Sequence, residues 1–390
     1  MRDSIPSSFD ATLTRMFHPA VIILSCTVAL TALGISILFS ATAHFPNSSP
    51  HFFISRQLMW LGVAVLAGGV VSVINLEKVR ALAWPVMGLC LIGLILTLIP
   101  GVGVEVNGAR RWLPMGIGRL QISEFTKLGL VFCLAAYLGS NQRKMDTFWI
   151  GFFWPSVFIA IPVGLIFLQP DYGTAALTAA VGGTLLFLAG ARLRYLVPVA
   201  ISGLGLFAVA VYFNPVRFGR ILSFMDVEAH RMDGAYQLWQ AILAFGTGGV
   251  SGVGLGNGRQ QLAFLPEAHT DFILAVLAEE LGFFFTGAVL ALFVLLFLAG
   301  VFHLRKAPNL YQFLLITGAL LVLSVQAIIN MGVVTGTLPT KGISLPFISY
   351  GGSNLVVVFI IVGLLINTSI AWSRQIETPA NRRDNKEVRG

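Results

Sequence analysis

The run VIILSCTVALTALGISILF, residues 21–39, is apolar all the way round a helix and holds no charge from end to end. A helix without a polar face has to be buried in lipid or in a large core. Comparable stretches fall near 20–41, 57–75, 81–100, 121–139, 149–168, 174–191, 193–213, 271–302, 310–334 and 349–373. One bilayer span takes roughly 20 apolar residues. With 56% of its 390 residues hydrophobic, the chain holds enough for all ten. Only 11% of the residues are charged, against about 25% in soluble domains, so an ordinary soluble enzyme is excluded. A β-barrel is excluded as well, because its strands alternate apolar and polar positions over about ten residues. Helices, which satisfy their own backbone in lipid, are what remains. The expected fold is all-α, a polytopic membrane protein with ten transmembrane helices.

An even number of spans puts both termini on one side, and the Lys/Arg distribution decides which. With the N-terminus inside, fifteen of the 25 basic residues lie in cytoplasmic segments, nine lie outside, and Lys127 lies within a span. Both termini are therefore expected in the cytoplasm: residues 1–19 as an N-terminal tail, 20–373 as the membrane domain and 374–390 as a C-terminal tail. That last tail is nearly free of apolar residues and is expected to be disordered. Trp84, Trp149 and Trp372 at span ends fit interfacial anchoring. The net charge of +8 would suggest nucleic acid in a soluble protein; here it reads as an orientation signal, and no nucleic-acid partner is expected. The first apolar run is too long for the core of a signal peptide and follows acidic Asp3 and Asp10. Cys26, Cys90 and Cys133 lie in separate apolar runs and read as small core residues.

The inner loops are short. The outer segments 101–120, 214–270 and 335–348 are longer and chemically mixed, which is where function is expected. The largest, 214–270 between helices 7 and 8, contains YQLWQAILAF, amphipathic enough for a short interfacial or re-entrant helix, followed by GTGGVSGVGLGNG. Those glycines lack the strand and the acidic residue of a dinucleotide site. A backbone nest for pyrophosphate and a flexible hinge are both open, the hinge being the simpler reading.

Ionisable groups at membrane depth are costly and become functional candidates. They are Glu124 and Lys127 in span four, Asp171 between spans five and six, and Asp271, Glu279 and Glu280 at span eight. Gln121, Glu124 and Lys127 recur along one side of a helix. They read equally as a structural ion pair or as a cation lining an anion cavity near Arg110 and Arg111. Asp271, after Pro266 and Thr270, is expected in the first turn of its helix, where the dipole favours the ionised carboxylate. It reads as a base or as a simple helix cap. Glu279 lies about 80° round that helix and Glu280 about 180°, so Glu279 is a candidate for the same cavity and Glu280 for a structural partner. His269 reads as a hydrogen-bonded structural residue. No residue spacing specifies a metal site, and no serine triad is present.

The runs GLGNGRQQLAFLPEAHTDFILAVLAEELG, NMGVVTGTLPTKGISLPFISYGGS, NGARRW and QPDYGT closely resemble the SEDS family of bacterial membrane glycosyltransferases. The LPTKG form at Leu338–Gly342 is more similar to its cell-division branch than to its elongation branch. The resemblance implies polymerisation of lipid II into peptidoglycan glycan strands outside the plasma membrane, at the division septum. Asp271 matches the essential aspartate and would be the general base that activates the acceptor 4-hydroxyl. Arg110, Arg111, Lys127 and Lys341 would neutralise the departing undecaprenyl diphosphate, with Glu124 and Glu279 beside them. No cofactor is established by the sequence, although a divalent cation, Mg or Mn, could share that role, and the metal itself is unknown. Implied partners are lipid II, a class B penicillin-binding protein transpeptidase, division regulators of the FtsQ, FtsL and FtsB type, and membrane lipid.

Two positions depart from the family pattern: Gln121-Ile122-Ser123-Glu124 stands where Gln-Pro-x-Glu is usual, and Gly351-Gly352-Ser353-Asn354 where Gly-Gly-Ser-Ser is usual. Two rival functions are a lipid II flippase, which would call for paired broken helices in two related halves, and a division-complex scaffold.

Overall fold

The computed structural model describes residues 18–42, 51–106, 108–116, 118–260 and 265–387, with side chains described as far as Trp372. The expected N-terminal tail up to residue 17, Asn107 of NGARRW and residues 261–264 lie outside them. The helices are α1 (Pro19–Thr42), α2 (His51–Val73), α3 (Leu76–Leu98), α4 (Ile122–Ser140), α5 (Trp154–Leu168, led by a π turn at Trp149–Phe153), α6 (Tyr172–Leu188), α7 (Leu193–Tyr212), α8 (Pro215–Met225), α9 (Tyr236–Gly248), α10 (Ile273–Leu304), α11 (Leu310–Val334) and α12 (Gly352–Glu387). Among the described residues, nine are long and apolar enough to cross a membrane. The tenth expected span, α6, has 17 residues, about 25 Å at 1.5 Å per residue.

Local chemistry sets the boundaries. Helix α3 starts earlier than the apolar run because the Asn75 side chain accepts from Glu77 N–H at 2.9 Å, taking Lys78 and Arg80 into the helix. Helix α12 continues past its apolar stretch to Glu387, so most of the tail expected to be disordered is helical. Trp372 is no interfacial anchor: it is 1% exposed, stacks on His303 at 4.1 Å between ring centroids and donates to Gln312. Trp84 and Trp149 are exposed. All three cysteines are free and buried.

The helical architecture carries one small sheet beside the expected spans. Strands β1 (Val104–Val106), β2 (Ala109–Met115) and β3 (Gly118–Gln121) form an antiparallel sheet in that order, pairing Glu105 with Arg110 and Leu113 with Leu120. The signal was present: Asn107-Gly108 is a strong two-residue hairpin sequence, and Gly108 has φ +74°. Its place within the 23-residue link between α3 and α4 hid it.

Helices α4, α11 and the apolar part of α12 form the centre, with 72%, 61% and 72% of their central stretches buried. Helix α7 stands at the margin with 6% buried. The Pro215–Gly248 part of the large loop is folded as α8 and α9, and YQLWQAILAF does form a helix, packed on α10. Helix α10 is broken at Gly282 (φ 75°, ψ −171°). A Cβ there would lie 2.4 Å from Gly252 N and 2.6 Å from Val250 O, so only glycine admits this backbone crossing.

Candidate active site

Asp271 sits just ahead of α10. The N-cap of that helix is Phe272, without a side-chain cap bond, so Asp271 is neither in the first turn nor its cap. The turn before it closes through Thr270 N–H and Phe272 N–H, both donating to the carbonyl of Glu267 at 3.1 and 3.3 Å. Two bonds fasten this turn to the segment 345–350: Ser349 Oγ donates to Thr270 O at 2.6 Å and Tyr350 N–H to His269 O at 3.0 Å. The Asp271 carboxylate lies against Gly342, where an added Cβ would stand 2.7 Å from Oδ2. Among the described residues no donor bonds that carboxylate. Burial pushes its pKa up from 3.8 to about 7, Glu267 and Asp171 add to the rise, and Arg111 opposes it. The expected preference of the helix dipole for an ionised carboxylate is therefore outweighed by desolvation.

Opposite lies a group of cations organised by the turn Gln169–Tyr172. Asp171 caps α6, its Oδ1 accepting from Thr174 N–H at 3.2 Å, while its Oδ2 stands 3.7 Å from Arg111 Nη1. Arg111 and Arg217 both donate to the carbonyl of Pro170, at 3.2 and 2.9 Å. The Arg217 guanidinium also lies on the Tyr172 ring, 3.2 Å from its centroid. Lys341, one residue before Gly342, sets its ammonium 4.9 Å from the Phe207 ring centroid of α7. Burial and the neighbouring Arg217 lower the Lys341 pKa, with Asp171 opposing. Three cations around one anchoring carboxylate make a pocket for an anion of higher charge, and guanidinium suits phosphate oxygens.

Of the residues expected in the site, Asp271, Arg111 and Lys341 are thus brought together; the others are not. Arg110 points away from Arg111, as successive strand residues must, and bonds Glu105 Oε2 at 3.0 Å. Lys127 and Glu124 are 2% and 6% exposed and pair at 2.9 Å; the lysine also donates to Gln326 at 2.8 Å. Its charge is paired inside the bundle, an arrangement that favours the structural reading of this pair. Glu279, fully buried, accepts from Arg259 N–H and Gln260 N–H at 2.9 and 3.1 Å. Glu280 accepts from Ser40 Oγ and Gly256 N–H at 2.6 and 3.0 Å. The amide of Gly256 in the glycine-rich loop and those of Arg259 and Gln260 just after it thus bind two carboxylates of α10.

Arg217 escaped the sequence reading because nothing distinguishes it from Arg220, Arg231 and Arg259 in the same loop. Asp171 carried a signal, its place between two spans, but no partner could be named. The two departures from the family pattern meet the bundle close together: Gln121 N–H donates to Ser353 Oγ at 2.9 Å, and Gln326 Nε2 to Asn354 Oδ1 at 3.0 Å. Among the described residues no three His, Cys, Asp or Glu side chains converge on a metal position. Magnesium or manganese here would need most of its ligands from substrate and water. Beside the start of α4, an apolar recess of about 390 Å³ is lined by Leu89, Leu120, Ile122, Phe125 and Leu128 among others.

Residues 20–373 match the family model FtsW/RodA/SpoVE, described as cell cycle protein. The chain belongs to the FtsW/RodA/SpoVE family. It is 37% identical over 359 residues to the probable peptidoglycan glycosyltransferase FtsW of Saccharophagus degradans, covering 90% of this chain and 93% of that protein. It is 36% identical to the stage V sporulation protein E of Bacillus subtilis, covering 91% and 98%. Among solved structures it resembles a chain of a peptidoglycan synthase complex that coordinates polymerization and crosslinking. That match has a TM-score of 0.74 and 28% identity, and covers 90% of this chain and 97% of that one. It also resembles the rod shape determining protein RodA of Thermus thermophilus, with a TM-score of 0.67, 28% identity and coverage of 89% and 95%. In this member of the FtsW/RodA/SpoVE family, Arg111, Arg217, Lys341 and Asp271 stand at one end of the helical bundle.

Proposed function

We propose that this protein is a peptidoglycan glycosyltransferase that polymerises lipid II, with Asp271 as general base. The observation that carries the reading is a carboxylate held near neutral pKa across from a pocket of Arg111, Arg217 and Lys341. A base works best when its pKa lies near the working pH. Ionised Asp271 takes the proton of the acceptor GlcNAc 4-hydroxyl. The oxygen attacks C1 of the donor MurNAc with inversion, the bond from C1 to the diphosphate oxygen breaks, and undecaprenyl diphosphate carries away the electron pair. The three cations meet the charge that grows on that leaving group, where fixed positive charge lowers the barrier most. The apolar recess suits part of a polyprenyl tail.

With α6 counted as a tenth span both termini fall on one side, and the basic inner loops support the cytoplasm as that side. The site then faces outward, between the hairpin, the loop 214–270 and the segment 335–351. The division branch, the septum, a class B penicillin-binding protein partner and division regulators belong to the same proposal, supported by the likeness to FtsW proteins and to a peptidoglycan synthase complex. Purified protein supplied with labelled lipid II tests it: wild type forms glycan strands and Asp271→Ala forms none. Equal polymer from both refutes the base. Movement of lipid II across liposomes without polymer points to the flippase, and full septation by a well-expressed Asp271→Asn protein in depleted cells points to the scaffold.

A further inference from the structure

We propose that Asn330 is a positioning residue that holds Asp271 and the Lys341–Gly342 segment in register. Asn330 lies near the end of α11, 1% exposed. Its single amide nitrogen donates twice, to the backbone carbonyl of Asp271 at 2.8 Å and to that of Ile343 at 2.7 Å. One acceptor belongs to the residue proposed as the base. The other belongs to the segment that carries the cation Lys341 and the glycine against which the carboxylate rests. The amide orientation is forced, because the opposite one would set an oxygen against two carbonyls. Its own Oδ1 is buried without a partner. A helix-forming apolar residue would avoid that cost, so the two donated bonds are what the position provides.

These bonds matter because the Asp271 side chain has no donor to hold it among the described residues, and α10 starts after it without a side-chain cap. Backbone restraint must then fix the carboxylate. Ser349 and Tyr350 grip Thr270 and His269, whereas Asn330 grips Asp271 itself and the facing strand of chain at once. A misplacement of about 1 Å at a reacting group costs about 100-fold in rate. This inference rests on the reading of Asp271 as base.

The test compares Asn330→Leu, which keeps the size and removes both donors, with Asn330→Gln, which keeps them, in the full-length purified protein. Polymerisation of labelled lipid II is followed across pH. Asn330→Leu is expected to lower kcat by about 30-fold or more, to leave KM within about twofold, and to move the pH at which activity rises; Asn330→Gln restores part of kcat. A kcat for Asn330→Leu within twofold of wild type overturns the proposal. So does a loss confined to KM, or a lowered kcat with the pH profile unmoved, which a purely structural role would give. Should Asn330→Leu not fold, Asn330→Ser decides by the same measurements, an unchanged kcat and pH profile again being fatal. Asp271→Asn run alongside separates the two ideas: full activity there removes the base itself, while an inactive Asp271→Asn with a normal Asn330→Leu removes only the positioning.

Discussion

Replacing Asp271 by asparagine should make the folded protein more stable while abolishing its activity. In the fold this carboxyl titrates at about 7 instead of 3.8. It therefore holds its proton more readily folded than unfolded. That contribution to stability is complete below about pH 4 and is lost as pH rises through about 7. With about 1.4 kcal/mol for each tenfold in affinity for the proton, Asp271 costs the fold at most about 4 kcal/mol at pH 8, where it is ionised in the fold, and about 2 kcal/mol at pH 5, where folding makes it take up a proton. Asparagine has nearly the same shape and carries no charge to desolvate. Thermal unfolding of both proteins in nanodiscs from pH 5 to 8 is the assay. The melting temperature of Asp271→Asn should exceed that of wild type most at pH 8, the gap narrowing towards pH 5. Polymerisation by wild type should rise about ninefold between pH 6 and pH 8, as the ionised fraction climbs from about a tenth to about nine tenths. An asparagine variant no more stable than wild type at pH 8, or a wild-type rate flat across that range, would refute the reasoning.

Gly342→Ala places a methyl 2.7 Å from Asp271 Oδ2, and turnover should drop by about 10-fold or more with little change in melting temperature; an unaffected rate would mean that the carboxylate has room to retreat. Lys127→Met strands Glu124 inside the bundle and should cost about 3–5 kcal/mol, seen as lost folded yield, whereas joining it with Glu124→Leu should recover most of that yield. Gly282→Ala forces a side chain onto a backbone with φ 75° and against Gly252 N at 2.4 Å, and should lower stability by about 1–3 kcal/mol or more, read as a fall in melting temperature.

Spans are legible because lipid imposes one requirement over some twenty residues, and any window of that length averages out local exceptions. The hairpin at 104–121 shows the opposite case. Its strands are three to seven residues long, and only Asn107-Gly108 announces it. The site divides along the same line. Asp271, Arg111 and Lys341 stand in motifs of unusual composition and could be chosen in advance. Arg217 and Asn330 could not, since their importance comes from which carbonyl each one reaches across 47 and 59 residues of sequence. Glu279 and Lys127 show that a charge at membrane depth signals only that a partner exists. For both, the partner proved to be protein: loop amides in one case and a neighbouring carboxylate in the other.

The break at Gly282 divides α10 into two lengths with different tasks. The part from Phe283 to Leu304 is about 33 Å long at 1.5 Å per residue, close to the roughly 30 Å thickness of a bilayer interior. The shorter part, from Ile273 to Leu281, is bound to the glycine-rich loop through Glu279 and Glu280. In the proposed orientation the long part gauges the membrane and the short part stands Asp271 clear of its surface by a fixed step. In that orientation Asp271 and the cation pocket stand just beyond the hydrocarbon. A thinner or thicker membrane would tilt the gauge without altering the step.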